Sequence, residues 1–314
     1  MLIKFEKCRR RNLAATMLTA FVLLAIGANS PRSSYAQPPG EGAASATQAP
    51  PQLSIDEAQA LVKRVLQTEL NAVEDTSHPM QYRLHKMSPR FATTKMIVET
   101  KDGDVAHLVA INDGPLSAQD QQTEETRLQG LLNDPGLQRH RQQREQSDSQ
   151  RARKIIRALP DAFLYTYGGI VDTPQGPSYR LNFQPNPNFD PQDLEAQMLK
   201  GMAGELWIDV TQHRVTRLQC KRTKDVDYGF GIIGKLDQGG TLLLEQADIG
   251  NHQWRTTKMV LVMDARFLFK TVKLDTTLDL SQYSPVAPGM SYQQAIQMLQ
   301  AQGKAASSAQ ASVK

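Results

Sequence analysis

Three glycines, Gly229, Gly231 and Gly234, form the G-x-G-x-x-G pattern that is found in dinucleotide-binding loops. Such a loop needs a strand before it and a helix after it, because the helix N-terminus holds the pyrophosphate. Here the glycines are followed by a predicted turn at 235–240 and a predicted strand at 241–249. The pattern therefore predicts a kink or a close approach of two strands rather than a cofactor site.

Other residues that could do chemistry also lack a supporting pattern. The histidines are His78, His85, His107, His140, His213 and His252. None is paired at a metal-binding spacing, and no G-x-S-x-G or S-x-x-K nucleophile motif is present. Asp225 and Asp227 share one strand face, where two acids can do acid–base work, but exposed strand carboxylates are usually only solvated. We predict no catalytic residues, no metal and no cofactor; a hydrolase would require a His, an Asp and a Ser or Cys220 to meet in one pocket.

Apolar side chains that alternate along predicted strands are the candidate ligand-binding residues. They are Phe163, Tyr165, Leu242, Leu244, Met259, Leu261 and Met263. One interpretation is ordinary core, and the other is an apolar cavity with flexible methionines in its lining. An acyl chain of ~16 carbons costs about 12 kcal/mol in water at ~0.8 kcal/mol per CH₂, so a lipid carrier must enclose it. A void of a few hundred Å³ would favour a carrier, and a filled interface would favour an interaction module.

The charge distribution indicates export. The 314-residue chain has 36 Lys and Arg, 32 Asp and Glu and a net charge of +4, but residues 1–36 alone contribute +5. A basic start, an apolar run at 13–28 and Ser34-Tyr35-Ala36 predict a signal peptide that is cleaved after Ala36. The run is shorter than the ~20 residues of a membrane span, although an uncleaved anchor is the alternative. The mature chain, at −1, would be periplasmic or secreted, with no stable membrane span and no nucleic-acid partner.

The mature chain begins with a predicted disordered linker at 37–53, which is rich in Pro, Gly, Ala and Ser. Ser54 and Glu57 form a capping box, and apolar residues recur at helical spacing to about residue 71. Alternating patterns predict strands at 81–88, 94–101 and 105–112. A helical insertion at 117–159 follows, and its polar second half predicts a solvated arm or clamp.

From residue 161 onward the pattern is mainly that of strands joined by short turns, which favour antiparallel neighbours. Predicted strands lie at 162–167, 179–184, 204–210, 214–222, 226–233, 241–249, 253–264 and 267–280. A helix is predicted at 191–201 and a weak one at 292–300 within a low-complexity tail, 286–314. The predicted fold is α+β, with a single domain over 54–285: a large antiparallel sheet that curls into an incomplete barrel beneath the N-terminal helix.

The segment Gly204-Glu-Leu-Trp-Ile-Asp209, followed by His213-Arg-Val-Thr-Arg217-Leu, supplies a family resemblance. With the export signal, the N-terminal helix and the strand meander, it resembles the periplasmic lipoprotein-carrier superfamily, the LolA- and LolB-like half-barrels that sort outer-membrane lipoproteins. The segments 186–191 and 229–240 are similar to uncharacterised exported bacterial proteins. The resemblance spans about 54–285, departs from the superfamily at 117–159 and transfers no functional residues.

Two hypotheses follow from these patterns. The first is a non-catalytic exported envelope protein that binds a lipid or an acylated protein in an apolar half-barrel cavity. The alternative is a structural or interaction module that docks an envelope protein on the polar helical insertion. Cys220, the single cysteine left after cleavage at Ala36, is predicted to be a small core residue.

Overall fold

The computed structural model describes residues 52–191, 193–228, 234–267 and 270–311. The predicted signal peptide and nearly all of the predicted linker lie outside these ranges. The helices are α1 (Ile55–Glu74), α2 (Ala118–Asn133), α3 (Pro135–Ala162), α4 (Leu194–Gln197) and α5 (Tyr292–Ala311). Within the described ranges, none of them has the length and apolar content that a membrane crossing requires.

The described residues contain thirteen strands in one sheet. They are β1 (Met80–Ser88), β2 (Phe91–Val98), β3 (Val105–Ile111), β4 (Gly114–Pro115), β5 (Phe163–Thr173), β6 (Gly176–Pro185), β7 (Met202–Asp209), β8 (Val215–Arg222), β9 (Val226–Tyr228), β10 (Gly234–Leu236), β11 (Thr241–Asp248), β12 (Trp254–Phe267) and β13 (Lys270–Pro285). The order across the sheet is β4-β3-β2-β1-β13-β12-β11-β8-β7-β6-β5, and the β9–β10 hairpin joins it where β10 pairs with β12. Because β4 and β5 remain unpaired edges, the sheet is an incomplete barrel, and the predicted α+β fold class is confirmed.

Helix α1 begins as its sequence predicts. The Ser54 N–H donates to Glu57 Oε2 at 2.8 Å, and the Glu57 N–H donates to Ser54 Oγ at 3.3 Å. These two bonds are the capping box, which satisfies N–H groups that have no partner within the helix. Its buried stripe includes Leu61, Val62 and Val65, so α1 lies on the sheet as a cover.

The helical insertion connects the two edges of the sheet. Strand β13 returns to lie between β1 and β12, so β4 and β5 are far apart although only α2 and α3 separate them in sequence. Helix α3 packs on α1 and β5, and α2 and α5 pack on β3. The two helices of the insertion meet at Asp134, whose Oδ1 accepts from the Gly136 N–H at 2.9 Å.

Three predicted elements differ from the structure. The helix predicted at 191–201 is the single turn α4, followed by turns to Gly201. The turn predicted at 235–240 contains β10, which pairs with β12 at Lys235 and Leu236. The weak helix predicted at 292–300 continues to Ala311 as α5. A three-residue strand gives too short a pattern to be recognised, since only its pairing distinguishes it from a turn.

Candidate ligand-binding face

The structure brings all seven candidate residues into one buried cluster on the inner face of the sheet. They are Phe163, Tyr165, Leu242, Leu244, Met259, Leu261 and Met263, each 7% exposed or less. Strand pairing places Leu242 opposite Leu261 and Leu244 opposite Met259. Phe163 lies 4.6 Å from Phe183 between ring centroids. Their shared location follows the alternation predicted from the sequence; whether they bind a ligand stays a prediction.

Two layers cover this apolar cluster. The first is helical and consists of the α1 stripe and the C-terminal half of α3, where Ile155 and Ile156 are buried. The second is the segment 193–201, which contains α4 and buries Met198 and Leu199 against the sheet. We call this segment the cover segment. Unlike α1, it has only one helical turn of its own.

The inner face is filled beneath the cover segment. A cavity of about 10 Å³ lies there, and its lining includes Met198, Met202, Leu242, Leu261 and Met263. That volume is about the space that one water molecule needs. A bound acyl chain would therefore have to displace the cover segment.

Hydrogen bonds from Arg222 tether the cover segment to β8. The Arg222 guanidinium donates from Nη1 to the Lys200 carbonyl at 3.1 Å and from Nη2 to the Met198 carbonyl at 3.2 Å. The Thr223 hydroxyl donates to the Gly201 carbonyl at 2.9 Å. Gly201 has φ +75°, a left-handed conformation that glycine adopts without strain, and this allows the chain to turn into β7.

A buried ion pair, which the sequence analysis missed, anchors α1 to the sheet. Arg214 donates to Glu69 Oε1 at 2.9 Å and to Oε2 at 3.0 Å, and the Val215 N–H donates to Glu69 Oε1 at 3.0 Å. The side chains are 6% and 1% exposed. A signal was present, because Glu69 continues the 3–4 spacing of the apolar stripe after Val65 and Leu66, where an acid requires a partner.

Of the predicted solvated arm or clamp, the N-terminal half of α3 is not an arm in solvent, because its inner side packs on the turn between β2 and β3. Gln138 Nε2 donates to the Asp102 carbonyl at 3.0 Å. Arg141 donates to the Asp104 carbonyl at 3.1 Å, and the Asp104 N–H donates to Glu145 Oε2 at 2.9 Å. Backbone carbonyls of a turn accept hydrogen bonds from polar side chains, so this half of the helix needs few apolar residues.

Buried carboxyl groups lie in this polar region, and the charges of Glu145 and Glu99 act on Asp104. Burial raises the pKa of Glu99 to about 7, while the Arg255 charge and a hydrogen bond from the Met80 N–H act in the opposite direction. Burial, together with the charges of Glu145 and Glu99, raises the pKa of Asp104 well above its ordinary value. Both shifts favour the protonated form of the carboxyl group, because burial penalises its charged form.

Arg255, whose charge acts on Glu99, is fully buried. Its Nη2 donates to the His78 carbonyl at 2.9 Å. Its Nε and Nη1 have no hydrogen-bond partner among the described residues. Burial lowers the pKa of Arg255, and the charge of Glu99 acts in the opposite direction.

The remaining sequence motifs have structural roles where they are described. Gly234 begins β10, and strand β11 comes next instead of the helix that a dinucleotide loop needs; Gly229 and Gly231 lie outside the described residues. Asp225 pairs with Lys235 at 2.9 Å. Burial raises the pKa of the Cys220 thiol to about 12, so it stays protonated as a core residue. In the described part of the chain, no three His, Cys, Asp or Glu side chains are arranged to hold a metal.

Comparisons with known proteins assign no family. No family model matches the sequence, and no curated protein matches it. Among solved structures, the chain is similar to the crystal structure of a DUF1329 family protein from Desulfovibrio piger, at 10% identity and a TM-score of 0.26, over 76% of this chain and 95% of that chain. A likeness at this TM-score is too weak to support a function.

Proposed function

We propose that this chain is an exported, non-catalytic binding protein of the cell envelope that holds the acyl chain of a lipid or an acylated protein on its inner apolar face. The main observation in support is that one end of that face is covered only by the short cover segment, 193–201, and not by a long helix. Here the apolar strands β11 and β12 are covered by a segment with a single helical turn, next to a small cavity lined by methionines.

Methionine suits a face that must close without a ligand and open for one. Its unbranched side chain fills irregular gaps and adapts to different shapes. Met198 and Met202 lie on or next to the cover segment, and Met263 lies on the sheet opposite. Displacement of the segment would replace these contacts with contacts to an acyl chain, at little net loss of buried apolar area.

Opening requires the Arg222 hydrogen bonds to break, and this gives a specific test. In the mature chain, Arg222→Gln should speed the uptake of a fluorescent palmitate analogue, because the Met198 and Lys200 carbonyls lose their donors. The matched control is Arg180→Gln, because Arg180 also donates twice to a backbone carbonyl, that of Gly168, but away from the cover segment. Native mass spectrometry of protein purified from its own periplasm should detect bound lipid.

The filled inner face favours a second candidate, an interaction module for an envelope protein that docks on α2 and α3. In that case, the purified protein would contain no lipid, and the wild-type, Arg222→Gln and Arg180→Gln proteins would all fail to take up the fatty acid. That result would overturn acyl binding and leave the second candidate.

A further inference from the structure

Helix α3 concentrates positive charge. Its 28 residues contain seven Lys and Arg and three Asp and Glu. Two of the three acids, Glu145 and Asp148, lie on its inner side, where Glu145 accepts from the Asp104 N–H and Asp148 is buried. The outward side of the helix is therefore more basic than its composition indicates.

The most outward residues of α3 follow one another at spacings of three or four. They are Arg139, Gln143, Gln146, Gln150, Lys154 and Arg157, and all are exposed. We call this line the outward stripe. Residues at such spacings form one line along a helix, about 27 Å long at a rise of ~1.5 Å per residue. The stripe contains cations and amides but no acid, and exposed His140 and Arg144 lie beside it.

The unpaired charge lies at the N-terminal end of the stripe. At the other end, Lys154 lies 3.1 Å from Asp193, and Arg157 lies 3.7 Å from Glu74. By contrast, no carboxylate in the described ranges forms an ion pair with Arg139 or Arg144 within 4.0 Å.

A pocket of about 380 Å³ opens beside Arg139 at this end. Lys101 contributes a second cation to its lining, and Gln142 contributes an amide. The carboxylate of Asp102 also lines it, but Asp102 Oδ2 already accepts from the Tyr292 N–H at 3.2 Å. The two cations outweigh the single Asp102 carboxylate, so the lining of this open space is net positive and suited to a phosphate group.

We propose that the outward stripe of α3 docks the protein on an anionic phospholipid surface, with a headgroup phosphate between Arg139 and Lys101. A line of cations and amides matches a flat anionic surface. A protein partner would instead need apolar or aromatic anchors at the centre of the patch, and the stripe has none. The proposal is independent of the ligand on the inner face.

Vesicle co-sedimentation tests this docking. The mature chain should bind vesicles of equal parts phosphatidylcholine and phosphatidylglycerol, and should not bind phosphatidylcholine vesicles. One cation near such a surface contributes about 1 kcal/mol, so the double variant Arg139→Gln/Arg144→Gln should bind about 25-fold more weakly. The control Arg83→Gln/Arg90→Gln removes the same charge from exposed positions on and beside β1 and should bind as the wild type does.

Further measurements separate the alternatives. Arg157→Gln should weaken binding less than Arg139→Gln, because Glu74 already lies near Arg157. Equal binding by the two double variants, or equal binding to both kinds of vesicle, would each overturn docking on a lipid surface. Fatty-acid uptake by Arg139→Gln/Arg144→Gln should match that of the wild type, so failure of docking is distinguishable from failure of acyl binding.

Discussion

Helix α3 crosses two halves of the inner face that are held together by different interactions. Its C-terminal half buries Ile155 and Ile156 in the apolar cluster, and we call the half of the inner face beneath it the apolar half. Its N-terminal half places Gln138 and Glu145 on the β2–β3 turn, and we call the half of the inner face beneath it the polar half. The comparison shows that a helix with few apolar residues is still bound to a protein core when its inner side meets backbone carbonyls and N–H groups.

The largest effect should come from breaking the ion pair within the apolar half. Glu69→Gln should lower the free energy of unfolding by about 3–5 kcal/mol, because Arg214 keeps a buried charge without its partner. Urea unfolding would measure this. The control Asp279→Asn removes an exposed pair with Lys258, 3.5 Å away, and should cost less than about 1 kcal/mol. Equal losses of unfolding free energy in the two variants would mean that water reaches the Glu69–Arg214 pair.

Truncation of α3 in the apolar half should have the next largest effect. Ile156 is fully buried, so Ile156→Ala should cost about 3 kcal/mol through lost transfer energy and the cavity that remains. Ile55 in α1 is 64% exposed, and Ile55→Ala should change stability by about 0.5 kcal/mol or less. A loss below about 1 kcal/mol for Ile156→Ala would show that the cover rearranges to fill the cavity.

The elements of this fold were predictable where local signals set them. The capping box at Ser54 and the alternation of Leu242 and Leu244 each depend on a few neighbouring residues. The return of β13 beside β1 depends on pairing between distant segments, such as Met80 with Pro285. Without that pairing the sequence could not show that α3 crosses the sheet, so its polar residues were predicted to be solvated.

In the candidate site, too, features set by local patterns were predictable, and contacts between distant segments were not. Strand alternation was sufficient to group the seven apolar residues. The Glu69–Arg214 contact and the contact of Gln138 with the Asp102 carbonyl join segments distant in sequence. The effect of Glu145 and Glu99 on Asp104 also requires the tertiary fold, because the pKa of Asp104 is raised by burial and by the charges of these two acids.

The polar half should differ from the apolar half in its response to pH. Glu99 has a raised pKa of about 7 in the folded state, so its contribution to stability is complete below the unfolded value of ~4.3 and is lost as pH rises to about 7. The loss is roughly 3 kcal/mol at ~1.4 kcal/mol per pKa unit. Unfolding free energies measured between these pH values should fall more for the wild type than for Glu99→Gln, which retains an acceptor for the Met80 N–H. If the unfolding free energies of the two proteins changed with pH in parallel, Glu99 would be ionised in the folded state.

The smallest effect should come from truncation of α3 in the polar half. Gln138→Ala removes hydrogen bonds to the Asp102 and Gly103 carbonyls and should cost about 1 kcal/mol. The adjacent pocket, which Gln138 and Asp102 line, can admit water in place of the lost side chain, whereas water cannot replace Ile156 in the apolar half. Exposed Gln143, on the other side of the helix, is the control, and Gln143→Ala should be nearly neutral. If Gln138→Ala instead cost as much as Ile156→Ala, the polar half would be as dry as the apolar half, and their difference would lie only in residue type.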